Sequence, residues 1–146
     1  MSKANKALEC FNSGYNCSQA VFSTYCSQLG MEEVPALKLS CAFGGGMGRL
    51  AGTCGAVTGA YMLIGLQHGK YLQEDEVSKE LTYGLVQEFT KRFEALYGTT
   101  SCKDLLNCDI STPEGEKQAK EQGLWKNLCP KFIKDACIII ENMLEL

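Results

Sequence analysis

The sequence predicts an all-α protein, a compact single-domain bundle of about five to seven helices with a glycine-rich loop. Apolar residues recur at helical spacing along most of the chain, and no alternating run is long enough to indicate a strand. Capping residues and glycines bound the periodic segments. The chain has 146 residues, 45% of them apolar, which suits one domain with its own core. We therefore predict that residues 1–146 form a single helical domain.

The first two helices are predicted from the residues at their ends. Residues 4–11 form a short helix that stops at residues 12–14, an Asn-Ser-Gly sequence typical of turns. Asn16 is placed to cap a second helix, because its side chain accepts a hydrogen bond from the first turn. Gly30 supplies the stop for that helix.

A glycine-rich segment separates the next two predicted helices. Pro35 suits the first turn of a helix over residues 36–43, which leads into Gly-Gly-Gly-Met-Gly-Arg at residues 44–49. We predict a loop there. Thr53 then caps a helix over residues 54–67, whose first half consists of small residues and is expected to pack closely against another element.

The second half of the chain predicts one long helix and three shorter elements. Acidic residues at 74–76 precede an amphipathic helix that continues to Gly98. Ser101 caps a short turn, Thr112 opens a further short helix, and the final helix begins at Pro130, since proline is favoured in the first turn.

Charge and hydropathy exclude two classes of partner. The net charge of -3 and the interspersed acids leave no basic face, so nucleic acid is not expected. The most apolar stretch, residues 56–66, is shorter than the about 20 residues that span a bilayer. The first residues have no apolar run after their positive charges, so no secretory signal is indicated and we expect a cytoplasmic protein.

Cysteine is the unusual component, with nine residues in the chain. Disulfides are disfavoured in the cytosol, and an odd number of thiols does not pair completely within one chain. Metal ligation, thiol redox chemistry and plain burial are the three explanations. No pair has the Cys-x-x-Cys spacing of zinc ribbons, so any cluster must be assembled by the fold.

Four cysteines stand at predicted helix starts, beside a capping residue or a proline: Cys17, Cys54, Cys102 and Cys129. Unpaired N–H groups and the helix dipole favour the thiolate there. A thiolate attacks disulfides, is oxidised, and ligates zinc or iron-sulfur clusters, so these four are candidates for catalysis and for metal binding alike. The alternative is a buried thiol that merely begins a helix.

The other five cysteines are assigned differently. Cys26, Cys41 and Cys137 lie within predicted helices, where a small apolar residue would serve equally, and we predict that they are core thiols. Cys10 and Cys108 are candidates for a resolving thiol or an extra ligand.

Glycines and one arginine form a second set of candidates, for cofactor binding. Three glycines and the arginine of the predicted loop would form a backbone nest for an anion, and two helical glycines would let a flat ligand approach. Tight crossing of the chain and close helix packing are the commoner alternatives. The residues are Gly44, Gly45, Gly46, Arg49, Gly55 and Gly59.

Three segments together resemble one family. Residues 14–21 (Gly-Tyr-Asn-Cys-Ser-Gln-Ala-Val), 43–48 (Phe-Gly-Gly-Gly-Met-Gly) and 54–60 (Cys-Gly-Ala-Val-Thr-Gly-Ala) resemble the C_GCAxxG_C_C family, and Cys102 and Cys129 complete the pattern. The resemblance covers nearly the whole chain.

The resemblance implies redox activity based on four characteristic cysteines, which map to Cys17, Cys54, Cys102 and Cys129. A related module is similar to part of the split-Soret cytochromes, which carry haem and an iron-sulfur cluster, and this implies a cofactor. Here there is no Cys-x-x-Cys-His sequence, and His68, at a predicted helix end, is the only histidine. Covalent haem is therefore not expected.

The leading hypothesis is a cytosolic redox protein in which the four cysteines converge, either to cycle between dithiol and disulfide or to hold a redox metal centre. Cys54 is the predicted most reactive thiol and Cys17 its partner, because the glycine loop leaves Cys54 accessible. A non-enzymatic iron-sulfur or other metal-binding electron carrier or sensor, a structural zinc site and a helical interaction module are the alternatives. A redox partner protein and a homodimer are expected partners.

Overall fold

The computed structural model describes residues 2–146 and confirms the all-α prediction. Within these residues the only β-type pairing is one isolated bridge between Thr53 and Ser101. There are eight right-handed α-helices, slightly more than expected, and one 3-10 turn at Cys26–Leu29. The α-helices are α1 (Lys3–Asn12), α2 (Cys17–Tyr25), α3 (Glu33–Cys41), α4 (Gly55–His68), α5 (Glu76–Tyr97), α6 (Cys102–Leu106), α7 (Pro113–Gln122) and α8 (Leu124–Leu144).

Most predicted caps are confirmed. Asn16 begins α2 with a reciprocal capping box: its Oδ1 accepts from the Gln19 backbone N–H at 2.9 Å, and Gln19 Oε1 accepts from the Asn16 N–H at 3.0 Å. Gly98 ends α5 in the left-handed conformation. Ser101 and Thr112 cap α6 and α7 through their hydroxyl oxygens.

The predicted start of the last helix at Pro130 is wrong. Helix α8 begins at Leu124, immediately after the left-handed Gly123, and Pro130 lies inside it. Leu124 and Leu128 pack against the core, and this tertiary contact extends the helix upstream despite the N–H that proline lacks.

The segment predicted to be a glycine-rich loop is instead a short helical turn, Gly44–Met47, which we call the glycine turn. Its φ angles are positive at Gly45, Gly46 and the following Met47, so the turn is left-handed. The Gly52 N–H donates to the Gly46 carbonyl at 2.8 Å, which closes the turn. Glycine is required at position 46, because a Cβ there would lie 2.5 Å from the Gly52 nitrogen.

Helices α2 and α4 form the centre of the bundle and are packed tightly through glycine. A Cβ on Gly55 would lie 3.0 Å from the Ser18 nitrogen, and one on Gly59 would lie 2.9 Å from the Ser18 oxygen. These two glycines therefore serve close helix packing, the alternative that the sequence left open. Buried residues of α2, α4, α5 and α8 make one hydrophobic cluster around this contact, including Phe22, Tyr25, Leu63, Ile64, Phe89, Phe93, Ile133 and Ile140.

No helix among residues 2–146 combines the length and the apolar character that crossing a membrane requires.

Candidate functional site

Four cysteines from four different parts of the chain line one small cavity. The side chains of Cys17, Cys54, Cys102 and Cys129 are 9%, 4%, 8% and 6% exposed, and the cavity volume is about 30 Å³. We call this cavity the cysteine chamber. The other residues that line it are Gly45, Gly46, Gly55, Leu105, Leu106, Trp125 and Phe132.

Backbone pairing brings two of these cysteines together. The Cys54 N–H donates to the Thr100 carbonyl at 2.8 Å, and the Cys102 N–H donates to the Gly52 carbonyl at 2.6 Å. The two bonds hold the segment before α4 against the segment before α6. Cys54 and Cys102, which lie 48 residues apart in the sequence numbering, therefore begin two adjacent helices.

The predicted helix starts are partly correct. Cys17 and Cys102 are the first residues of α2 and α6. Cys54 is itself the residue that caps α4, so the predicted cap at Thr53 is wrong; Thr53 pairs with Ser101 instead.

Cys129 does not stand at a helix start. Because α8 begins at Leu124, Cys129 lies within the helix and has no unpaired N–H groups beside it. It reaches the chamber because it lies on the buried side of α8, as Phe132 and Ile133 do.

The pKa values of three chamber thiols, Cys17, Cys54 and Cys102, are raised, contrary to the thiolate expected from their positions. Contact with the Cys129 thiol, followed by burial, raises the pKa of Cys17 well above its ordinary value. Burial raises the pKa of Cys54 to about 12, although N–H groups of Ala56 and Val57 act in the opposite direction. Burial also raises the pKa of Cys102 to about 12. Loss of hydration thus exceeds the effect of the helix ends.

The remaining cysteines are dispersed. Cys26 and Cys137 are fully buried, as predicted, whereas Cys41 is exposed and the prediction of a core thiol is wrong there. Cys41 is the last residue of α3, where the helix leaves the core. Cys108 is buried, donates to the Gly115 carbonyl at 3.1 Å and is close enough to Cys102 to raise its pKa further. Cys10 is half-buried and its sulfur lies 3.7 Å from Ser23 Oγ.

A larger, open cavity adjoins the chamber. Its volume is about 580 Å³, and we call it the outer cavity. Three residues line both cavities and so form the wall between them: Cys17, Gly45 and Trp125. Trp125 is a site residue that the sequence did not predict, because nothing local distinguishes a tryptophan in a cavity wall from one in the core.

The residues predicted to bind a cofactor are divided between the outer cavity and the cysteine chamber. Gly44, Gly45 and Arg49 line the outer cavity, where Arg49 Nη1 also lies 3.5 Å from Glu116 Oε1. Gly46 and Gly55 line the chamber. Gly59, packed under Ser18, lines neither.

The chamber offers sulfur ligands but does not have the geometry of a single-ion site. Across residues 2–146, no three side chains of the Cys, His, Asp and Glu types lie close enough together to hold one metal ion. Zinc would need sulfurs at about 2.3 Å on all sides, so the four thiols as placed do not fit it. All nine cysteines are free thiols.

Comparison with known proteins places this arrangement in a family. No curated protein and no solved structure shows significant similarity to the chain. The model of the family described as "Putative redox-active protein (C_GCAxxG_C_C)" matches residues 15–143, a span that contains all four chamber cysteines, the glycine turn and both cavities' shared wall. The chain belongs to the C_GCAxxG_C_C family.

Proposed function

We propose that this protein is a thiol redox protein in which Cys17 and Cys129 cycle between dithiol and disulfide. The observation that supports the proposal is that both cysteines line one small chamber, together with Cys54 and Cys102. The sequence favours Cys54 as the partner of Cys17. We choose Cys129 as the partner, because it lines the same chamber as Cys17 and its thiol raises the pKa of Cys17 as a near neighbour.

The reaction moves two electrons and two protons. The Cys17 and Cys129 thiols lose their hydrogens as a sulfur-sulfur bond forms, and a disulfide of the redox partner is reduced to two thiols. Cys54 and Cys102, whose backbones are held near each other by the pairing, line the same chamber but take no part in this reaction.

Burial suits a carrier that must not react with every oxidant. A protonated thiol is a poor nucleophile, and the chamber excludes bulk solvent from its four thiols. The dithiol is therefore long-lived until a reagent reaches Cys17. Free cysteines throughout the described chain also fit a reducing compartment, so a cytoplasmic location is part of the proposal.

The decisive experiment is a redox titration of anaerobically purified protein in dithiothreitol buffers. We expect reversible loss of two thiols, with mass spectrometry locating the bond between Cys17 and Cys129. Cys17→Ser should abolish this transition, whereas Cys26→Ser, which removes a core thiol outside the chamber, should leave it unchanged. A thiol count that stays constant across the buffers would refute the proposal.

A metal or iron-sulfur centre for electron transfer or sensing is the second candidate. It is favoured by four sulfurs around one cavity whose lining contains no charged side chain. The sulfurs would have to rearrange to bind a single ion. Stoichiometric iron and sulfide with a visible charge-transfer spectrum after anaerobic purification would support this candidate, and zinc without a redox response would indicate a structural site.

Two further expectations belong to the proposal. A redox partner protein must deliver or remove the electrons, and a homodimer is expected, which sedimentation analysis would test. A helical interaction module without redox chemistry would keep its partner binding when all four chamber cysteines are replaced by serine.

A further inference from the structure

The outer cavity is lined by two thiols, of which one is buried and the other is exposed to solvent. Cys17 and Cys41 both line it, yet Cys17 is buried and Cys41 is exposed. The Asn16 amide donates to the Cys41 carbonyl at 2.9 Å and joins the end of α3 to the start of α2. This bond holds the exposed thiol and the chamber thiol at the same cavity.

The burial of the chamber creates a kinetic problem for thiol exchange. Exchange starts when a thiolate attacks a disulfide. A buried protonated thiol ionises poorly and is not reached by the disulfide, so it reacts slowly. Cys17 contributes to the wall of the outer cavity but is only 9% exposed. An accessible thiol in the same cavity would accept the incoming disulfide first.

We propose that the outer cavity binds a small disulfide and that Cys41 is the first thiol to react with it, passing the bound group to Cys17. This inference rests on the proposed function and names the substrate class for the same site. The proposal also assigns a chemical role to Cys41, whose side chain is exposed and not part of the core.

The exchange consists of three balanced steps. The Cys41 thiolate attacks the small disulfide, forms a mixed disulfide and releases one small thiol. Cys17 then attacks the bound small-molecule sulfur, takes over that group and returns Cys41 to the thiol. Cys129 attacks Cys17, releases the second small thiol and leaves the Cys17–Cys129 disulfide. Overall, one disulfide is reduced to two thiols and one dithiol is oxidised.

The lining of the outer cavity suits such a ligand. Its volume of about 580 Å³ lies within the range of pockets for small molecules, about 300–1,000 Å³. Phe11, Tyr15 and Trp125 provide apolar surface, and bare glycine backbone allows close approach. Arg49, which also lies 3.5 Å from Glu116, lines the cavity and supplies a positive charge for a carboxylate on the ligand.

The test uses oxidised glutathione with the reduced full-length protein. We expect Cys41→Ser to slow formation of the Cys17–Cys129 disulfide by about tenfold or more. Cys10→Ser, which removes a half-buried thiol outside both cavities, is the matched control and should oxidise at the wild-type rate. Because Cys41 is exposed, its replacement should not disturb folding.

Trapping variants follow the glutathione through the protein. Peptide mapping should find glutathione bound to Cys41 in the Cys17→Ser variant and bound to Cys17 in the Cys129→Ser variant. Cys17→Ala is a second variant that should also hold glutathione on Cys41. Wild-type oxidation rates in Cys41→Ser, or trapped glutathione on another cysteine, would overturn the proposed route while the dithiothreitol titration still reported the Cys17–Cys129 couple. If that couple is absent at equilibrium, the proposed function and the route both fail.

Discussion

Cys17 and Cys129 line the same small chamber, where the first turn of α2 meets the interior of α8. The neighbouring Cys129 thiol, followed by burial, raises the pKa of Cys17 well above its ordinary value. The Cys17 thiol thus favours its protonated form. In the proposed reaction Cys17 and Cys129 form one disulfide when an oxidant arrives.

Stability at alkaline pH tests the protonation of the chamber. Burial raises the pKa of Cys54 from 9.0 to about 12, so the fold favours the neutral thiol. Its stabilising contribution is complete below pH 9 and is lost as the pH rises towards 12, at about 1.4 kcal/mol per pH unit. Between pH 9 and 10, urea denaturation should show a larger loss of unfolding free energy in the wild type than in Cys54→Ala. Equal losses would contradict the buried neutral thiol.

The contact between α2 and α4 gives a second prediction. Gly59→Ala should lower the free energy of unfolding by about 1–3 kcal/mol, since its Cβ would lie 2.9 Å from the Ser18 oxygen and 3.1 Å from the Val21 Cβ. Gly84→Ala in α5 is the matched control, because a Cβ there meets nothing within 4 Å. Alanine in that helix should stabilise the protein by up to about 1 kcal/mol. Urea denaturation of both variants measures the difference, and equal effects would argue against tight packing at Gly59.

Local sequence signals predicted the starts of α2, α6 and α7, each of which a side chain caps. Asn16, Ser101 and Thr112 accept hydrogen bonds from N–H groups that lie at most three residues away, so the sequence alone contains both partners. Pro130 misled the prediction, because proline suits a first turn but tertiary packing of Leu124 extended α8 beyond it.

The candidate site was predictable only in part. The four cysteines could be selected by their positions, although the helix-start argument is invalid for Cys129. Their protonation could not be predicted, because desolvation depends on residues from distant segments, such as Trp125 and Phe132, that close the chamber. The exposed side of α3, which carries Cys41, is likewise a tertiary property.

The glycine turn and Gly48, which follows it, give a third prediction, which separates the effect of backbone strain from the effect of a steric clash. Gly48→Ala should destabilise the protein by about 1 kcal/mol, since its φ of 63° is left-handed but its nearest neighbour would be 3.8 Å away. Gly46→Ala should cost about 3 kcal/mol, because the same strain is combined with a clash against the Gly52 backbone. Thermal and urea unfolding measure the loss of stability in each of the two variants. If the two variants are equally stable, the clash does not exist in solution.

The wall between the two cavities gives the last prediction. Trp125 lines both, so Trp125→Ala should open the chamber to the outer cavity and increase the rate of Cys17 alkylation by iodoacetamide about tenfold or more. Trp125→Phe, which keeps an aromatic wall, is the matched control and should react nearly as slowly as the wild type. Cys137, fully buried and outside both cavities, should stay unlabelled in all three proteins, which separates local opening from general unfolding. Mass spectrometry of each cysteine peptide gives the rates at constant pH, and an unchanged Cys17 rate in Trp125→Ala would mean that another residue controls access to the chamber.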